Sequence, residues 1–512
     1  MKRKKLMIAV GTMILTLGIV QSCTKLDKKV YSVVPTADFY QTPDQIAAGV
    51  APAYVALQPI PDGNVMQMNE ITSDEIVVPT RGNDWYDGGQ WQSLWLHKYK
   101  PDVFVDGGWS DLNNGIGKIN FTLNILNSLT NKPANIANVV AELKVLRAYF
   151  IFEFMDMFGN VPLVTDYNVD PSKVTQSTRA QVYAFLDTEL STNIPLLTNT
   201  VDKTTYGRVT QYFGYMLQAK LYMNAQVYTG TAQWAKAITA LNQVISSGKY
   251  ALQPNYFDNF SVSNDGSTEN IFVVPADKVH ITATNSWEMQ TLHYSNNLTY
   301  GLTGQPWNGF CSTADVYNKY DASDVRRTQF LIGQQYAADG VTPLTDPQAN
   351  LPVIFTPIVS TISDPSGAFR MAGVRNIKYH PEAGTAGGQS NDMVIFRLAD
   401  AYLMLAEASM HTGDNATALA MVNKVRERAG VADWTMADLT MPSLLDERSR
   451  ELMWEGWRRN DLIRFEVATG THYFSGPRTP AKTDDGDQHA FIFPIPAPEL
   501  LTNPNLHQNP GY

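Results

Sequence analysis

Cysteine is almost missing from this chain. Only Cys23 and Cys311 occur in 512 residues, so no disulfide framework can hold the fold together. Charge is sparse too, at 17% of residues against about 25% in an average soluble chain. The 39 basic residues are unclustered and outnumbered by 49 acidic ones, for a net charge of −10. An acidic chain without a basic stripe repels phosphates, which argues against a nucleic-acid partner. The eight histidines are scattered, and H-E-x-x-H, C-x-x-C, G-x-S-x-G and a phosphate-binding loop are all lacking. No catalytic residue, metal site or cofactor is therefore expected. After residue 22, no apolar run is long enough to cross a bilayer, which takes about 20 residues.

The first residues are different in kind. Four consecutive cations, Lys2 to Lys5, precede an uninterrupted apolar or small stretch over 6–20, the pattern of a secretory signal. It closes on Val20-Gln21-Ser22-Cys23, which resembles the lipobox of bacterial lipoproteins, although Val20 and Gln21 depart from its tightest form. Residues 1–22 are read as a signal peptide, Cys23 as the lipidation site and 23–34 as a tether. Several acyl chains on one cysteine hold a protein on a membrane durably. With Cys23 acylated, Cys311 has no partner and is expected to be a small buried apolar residue.

Most of the remainder reads helical. Residues 135–158 place apolar side chains at i, i+3 and i+4, then stop at Gly159 with Pro162 just beyond. Residues 209–227 and 234–247, with a turn at 229–233, form a helical hairpin. Residues 399–411 and 416–429 form another. Ala219, Ala225, Ala406, Ala408, Ala416, Ala418 and Ala420 supply small residues for close helix approach. The hairpins resemble degenerate tetratricopeptide units. The expected fold is mostly α, with a helical scaffold at about 40–250 and 395–465. It supports a loop-rich insert at about 250–395 with short strands near 271–274 and 353–355. The whole of 35–512 is read as one body.

The segment 441–465 is the most distinctive. Glu447, Glu451 and Glu455 fall at i, i+4 and i+8, with Arg448, Arg450, Arg458, Arg459 and Arg464 around them. Two carboxylates could act as acid and base, as in glycosidases. Arginine neighbours depress carboxylate pKa values, however, which is wrong for a general acid. An ion-pair network is the expected role.

These segments, in order, resemble the SusD/RagB family of outer-membrane nutrient-binding lipoproteins of Bacteroidetes. The resemblance rests on Leu26-Asp27 and 36–54 (TADFYQTPDQIAAGVAPAY), 141–164 (AELKVLRAYFIFEFMDMFGNVPLV) and Gly207-Arg208-Val209-Thr210. It continues through Ser247-Gly248-Lys249-Tyr250, 397–408 (RLADAYLMLAEA), 423–429 (NKVRERA) and the acidic–basic run from Asp446 to Arg464. The ending from Phe493-Pro494-Ile495-Pro496 to Gly511-Tyr512 completes it. The resemblance implies a tetratricopeptide-like scaffold and a glycan ligand. It also implies a SusC-type TonB-dependent outer-membrane transporter as partner, over which the lipoprotein sits as a hinged lid. Surface display rests on this resemblance, because Thr24 to Lys29 lack the acidic run often linked to export.

Sugar rings offer apolar faces to aromatic side chains and hydroxyls to planar polar groups. Arg81, Asn83, Asp84, Trp85 and Tyr86, with Trp91 just beyond, meet that need among glycines. Trp85 and Tyr86 are expected to be exposed, whereas Trp91 and Trp95 can equally pack inward. Trp307 and Asn308, at a second glycine turn, form the other candidate. The competing readings are a lipid-anchored glycoside hydrolase and a tetratricopeptide-like interaction scaffold.

Overall fold

The computed structural model describes residues 39–40, 42–281, 285–484 and 486–512. Cys23 and the 23–34 tether lie outside them. No helix among the described residues is long and apolar enough to cross a membrane.

The centre of the fold is the helix Ile136–Phe158, buried on every side from Leu143 and Val145 to Phe158. A helix buried all round has no solvent face and must be covered by neighbours. Val103–Ser128 and Arg179–Asn193 cover it on either side. The first approaches closely because Gly115 lies beneath Phe150, where a Cβ would fall 2.3 Å from the ring. The helix ends as its sequence predicts, on Gly159 at φ 74°. Thr42 and Thr178 start Pro43–Val55 and Arg179–Asn193 with capping boxes to Gln45 and Gln181.

Both predicted hairpins form. Gln211–Met223 packs on Trp234–Ile245, and Leu398–Thr412 packs on Asn415–Arg428. Trp234–Ile245 also packs on Leu398–Thr412, so hairpins far apart in sequence stack directly. Ala219, Ala225, Ala406, Ala408 and Ala418 are buried, but Ala416 and Ala420 are exposed. The predicted helix over 209–227 is broken at Asn224, and Ala225–Thr229 follows as a separate turn. The Asn224 amide reaches back to the Lys220 carbonyl (2.9 Å) and across to Asn460 Oδ1 (3.0 Å). Such side-chain bonds compete with the helical ladder.

Every sheet among the described residues has two strands. The longest pairs Asn270–Val274 antiparallel with Met393–Arg397, closing the base of the loop-rich insert. A second, Thr80–Arg81 with Ser363–Asp364, ties the tryptophan-rich loop to that insert.

The acidic–basic segment serves this architecture, with one change from expectation. Its helix ends at Leu452, and the chain then turns through Trp454 (φ 60°) and Gly456 (φ 81°). Glu455 therefore leaves the helical face shared by Glu447 and Glu451. All three carboxylates are still buried, and mostly by arginines from other elements. Glu447 meets Arg326 and Arg426 at 2.8 Å and its helical neighbour Arg450 at 2.7 Å. Glu451 meets Arg326, Arg397 and Arg428. Glu455 meets Arg397 at 2.8 Å and also Lys378. Burial works to raise the Glu447 pKa, but Arg326, Arg450 and Arg426 outweigh it and hold it at about 2. Glu451 is driven lower by the same balance. Glu447 and Glu451 are fixed as anions within an ion-pair network that Glu455 joins through Arg397 and Lys378.

Candidate functional site

The two aromatic loops singled out in the sequence meet in space. Trp85 Nε1 donates a 2.6 Å hydrogen bond to the carbonyl of Trp307. The indole lies against Gly309, where a Cβ would fall 2.3 Å from the ring, so only glycine admits this contact. Trp85 sits at φ 64°, in left-handed backbone that bulky residues rarely adopt. Gly88 and Gly89, at φ 71° and 83°, complete the reversal.

The second loop is rigidly mounted. Trp307 N donates to the Met289 carbonyl (2.6 Å), Asn308 N to Leu292 (2.9 Å) and Gly309 N to Gln290 (2.9 Å). Trp307 remains 45% exposed and Tyr86 55% exposed, and neither ring stacks on another aromatic. Their faces are therefore open to a ligand. Asn83 is exposed, and Asp84 is partly so.

Trp85 itself is only half-buried, not the fully presented ring its loop predicts. It packs against Trp91 and Phe310 with ring centroids 5.5 Å away in each case. Three other candidates are corrected outright. Arg81, Trp91 and Asn308 are buried and have no face toward solvent. Arg81 is held by the Phe369 carbonyl (2.7 Å) and Cys311 Sγ (3.2 Å). Trp91 packs on Phe104 and Phe310, and its Nε1 donates to Asp87 (2.7 Å). Asn308 links the Arg370 carbonyl (2.9 Å) to the Arg375 guanidinium (2.8 Å). These residues support the loops from beneath. Trp95 is also buried, with Nε1 donating to the Pro480 carbonyl (2.8 Å), and Cys311 is buried and unpaired as expected.

Two polar residues that the sequence did not single out complete the site. Tyr294 donates its hydroxyl to Asp84, and Arg370 lies 3.4 Å from the same carboxylate with its guanidinium 4.7 Å from the Tyr294 ring centroid. Burial, reinforced by the bond to Asp84, pushes the Tyr294 hydroxyl up to about 12. Below them Asp346 accepts from Arg370 Nε (2.6 Å) and faces His293 Nε2 (2.9 Å). Burial lowers His293 to about 4, so the ring is neutral near pH 7. Arg370 Nη2 is buried without a hydrogen-bond partner, leaving a donor in reserve beside Asp84. Tyr294 and Arg370 carry no local signal, because their partner Asp84 lies 210 and 286 residues away in sequence.

The site thus presents two open aromatic faces, an amide at Asn83 and a carboxylate at Asp84, on a hydrogen-bonded polar base. Family profiles match both ends of the chain. The profile described as "SusD family" matches residues 356–512, and that described as "Starch-binding associating with outer membrane" matches residues 26–223. The chain belongs to the SusD family. The starch-binding protein SusD of Bacteroides thetaiotaomicron is 27% identical over 409 residues, 73% of this chain and 72% of that protein. SusD-like protein P25 of Formosa agariphila is 25% identical over 465 residues, 80% of each chain. Among solved structures, surface glycan-binding protein A from Bacteroides uniformis superposes with a TM-score of 0.74 at 22% identity, over 91% of this chain and 99% of that one. A laminarin-binding SusD-like protein superposes with a TM-score of 0.72 at 24% identity, over 92% and 100%. These structures share the fold, which is mostly helical with small sheets only.

Proposed function

We propose that this SusD-family protein is a cell-surface glycan-binding lipoprotein. It captures oligo- or polysaccharide on the platform of Tyr86 and Trp307 and delivers it to a SusC-type TonB-dependent outer-membrane transporter. The observation that carries the reading is the pair of open aromatic faces joined through the Trp85–Trp307 hydrogen bond. Stacking on such faces captures the apolar side of a sugar ring, while Asn83 and Asp84 stand beside them to meet hydroxyls, with Arg370 supporting Asp84 from beneath. The names of its relatives support the class of ligand: starch for SusD, and laminarihexaose for a surface glycan-binding protein A of Bacteroides thetaiotaomicron.

The binding step is non-catalytic in this reading. Within 441–465, Glu447 and Glu451 are held as anions by arginine, so neither carries the proton that a leaving group needs. Affinity electrophoresis in gels cast with laminarin, starch, inulin or polygalacturonate tests the proposal. Retention by at least one of them, with no reducing ends released, is expected. Release of reducing ends would overturn the non-catalytic reading, and free migration in every gel would overturn the glycan reading.

Lipidation at Cys23 and an outward-facing position on the outer membrane belong to the same proposal. Replacing Cys23 by Ser should move the protein from the membrane fraction into the medium or periplasm with its melting temperature unchanged. Continued membrane retention would contradict the anchor.

A further inference from the structure

A cavity of about 510 Å³ lies apart from the platform and shares no residue with it. Its walls come from the loop that enters the first helical hairpin, from the turn that leaves it, and from the strand Asn270–Val274. Its size lies within the roughly 300–1,000 Å³ of small-molecule sites. Two tyrosines line it, each fixed from behind. Tyr206 donates its hydroxyl to Asp392, and Tyr250 sits edge-on to Tyr212 with centroids 5.5 Å apart. Lys203 and Lys249 stand exposed among the lining residues, and neither makes an ion pair with a described residue.

The telling group is Asn270. It is only 9% exposed, its backbone N–H donates to Ser267 Oγ (3.1 Å) and its Nδ2 donates inward to the Asn259 carbonyl (3.1 Å). Its Oδ1 has no partner. A buried acceptor left unmet is costly, and native folds rarely keep one without a use. Of the two carboxylates present, Asp202 is engaged by Thr204 in its own turn and Asp265 remains free. The cavity therefore offers aromatic surface, a buried acceptor without a donor, and two exposed ammonium groups that can donate to a ligand's oxygens. A sugar residue supplies all three complements.

We infer that this cavity is a second glycan subsite, independent of the Tyr86–Trp307 platform. A hydroxyl of the sugar donates to Asn270 Oδ1, the ring covers Tyr250, and Lys203 and Lys249 reach its oxygens. The inference rests on the glycan reading proposed above. Two sites on one body engage one long polysaccharide bivalently, which raises overall affinity without any new contact.

Gly266 allows a clean test. It lines the cavity, and a Cβ there meets no atom within 4 Å, so Gly266→Trp introduces a bulky ring at the cavity wall without a clash at its first atom. An unchanged melting temperature checks that the fold is kept. Calorimetry with an oligosaccharide of whichever polysaccharide in the panel retains the protein should give about two sites per chain. Gly266→Trp, or Lys203→Ser with Lys249→Ser, should reduce this to about one. Tyr86→Ala with Trp307→Ala should leave the other one. Retention by the intact polysaccharide should weaken by roughly 100-fold or more in Gly266→Trp. A single site in the unaltered protein, unchanged by Gly266→Trp and by the lysine replacements, would overturn the second subsite and leave the platform standing. Absence of any binding to the panel would overturn both.

Discussion

Trp85 and Trp307 are bound to each other, indole N–H to backbone carbonyl at 2.6 Å, across 222 residues of sequence. This bond, with the packing of the indole on Gly309 and Phe310, joins two loops into one platform, and Trp85 serves it as a post while Tyr86 and Trp307 provide the faces. Trp85→Ala should therefore lower stability by about 2–3 kcal/mol, less than a fully buried ring would cost, and weaken glycan retention as well. Trp85→Phe keeps most of the packing but loses the bond, and should cost about 1 kcal/mol. Urea unfolding measures both. An unchanged midpoint for Trp85→Ala would show that the ring is not part of the support.

Gly309 gives an independent handle on the same contact. A methyl group there would sit 2.3 Å from the Trp85 ring, so Gly309→Ala must push the indole away from the Trp307 carbonyl. Overpacking of this kind costs roughly 1–3 kcal/mol. The near-ultraviolet circular dichroism of the tryptophans should change with it. An unperturbed spectrum would mean that the loops separate more freely than their geometry implies.

Arg397 is the hub of the buried ion-pair network, donating to Glu269, Glu451 and Glu455. Removing one partner of a buried pair leaves uncompensated charge and costs about 3–5 kcal/mol. Arg397→Met should destabilise by that amount. Arg397→Lys should also be poorly tolerated, because an ammonium cannot reproduce the planar fork that meets three carboxylates. A loss below about 1 kcal/mol in denaturant unfolding would contradict the network's structural role.

Several buried acids should make stability fall at alkaline pH. Burial raises Glu153 to about 8, with Asp156 adding to the effect and Lys220 opposing it. Burial likewise raises Asp62 to about 7 and Glu288 to about 8. Between the ordinary carboxylate range and these values the folded chain holds protons that the unfolded chain has lost. Stability is then full below that window and declines as pH rises through it. His293 acts in the opposite direction, since its folded value of about 4 lies below the ordinary 6.5 and its contribution is lost as pH falls from 6.5 toward 4. Melting temperature should be higher at about pH 6 than at about pH 8.5, and Glu153→Gln should flatten the difference. A melting temperature that rises toward pH 8.5 would contradict this balance.

The scaffold was legible in the sequence because its signals are local. The stop at Gly159, with Pro162 just beyond, marks a helix end by its own chemistry. The apolar residues at i, i+3 and i+4 in 135–158 marked a helix. The break at Asn224 was not legible, since it depends on Asn460 from a distant helix. The site divides the same way. Glycine-set loops revealed Tyr86 and Trp307, but burial of Arg81, Trp91 and Asn308 depends on what lies behind them. Tyr294 and Arg370 join through Asp84 alone, a contact that only the tertiary fold creates.

Glycan affinity of Tyr86→Ala with Trp307→Ala, measured beside its melting temperature, tests the central claim most directly. Both rings are exposed and unstacked, so their removal should leave the melting temperature unchanged. Retention in the polysaccharide gel that holds the unaltered protein should weaken at least tenfold, about 1.4 kcal/mol. Undiminished retention by the double variant would contradict the platform.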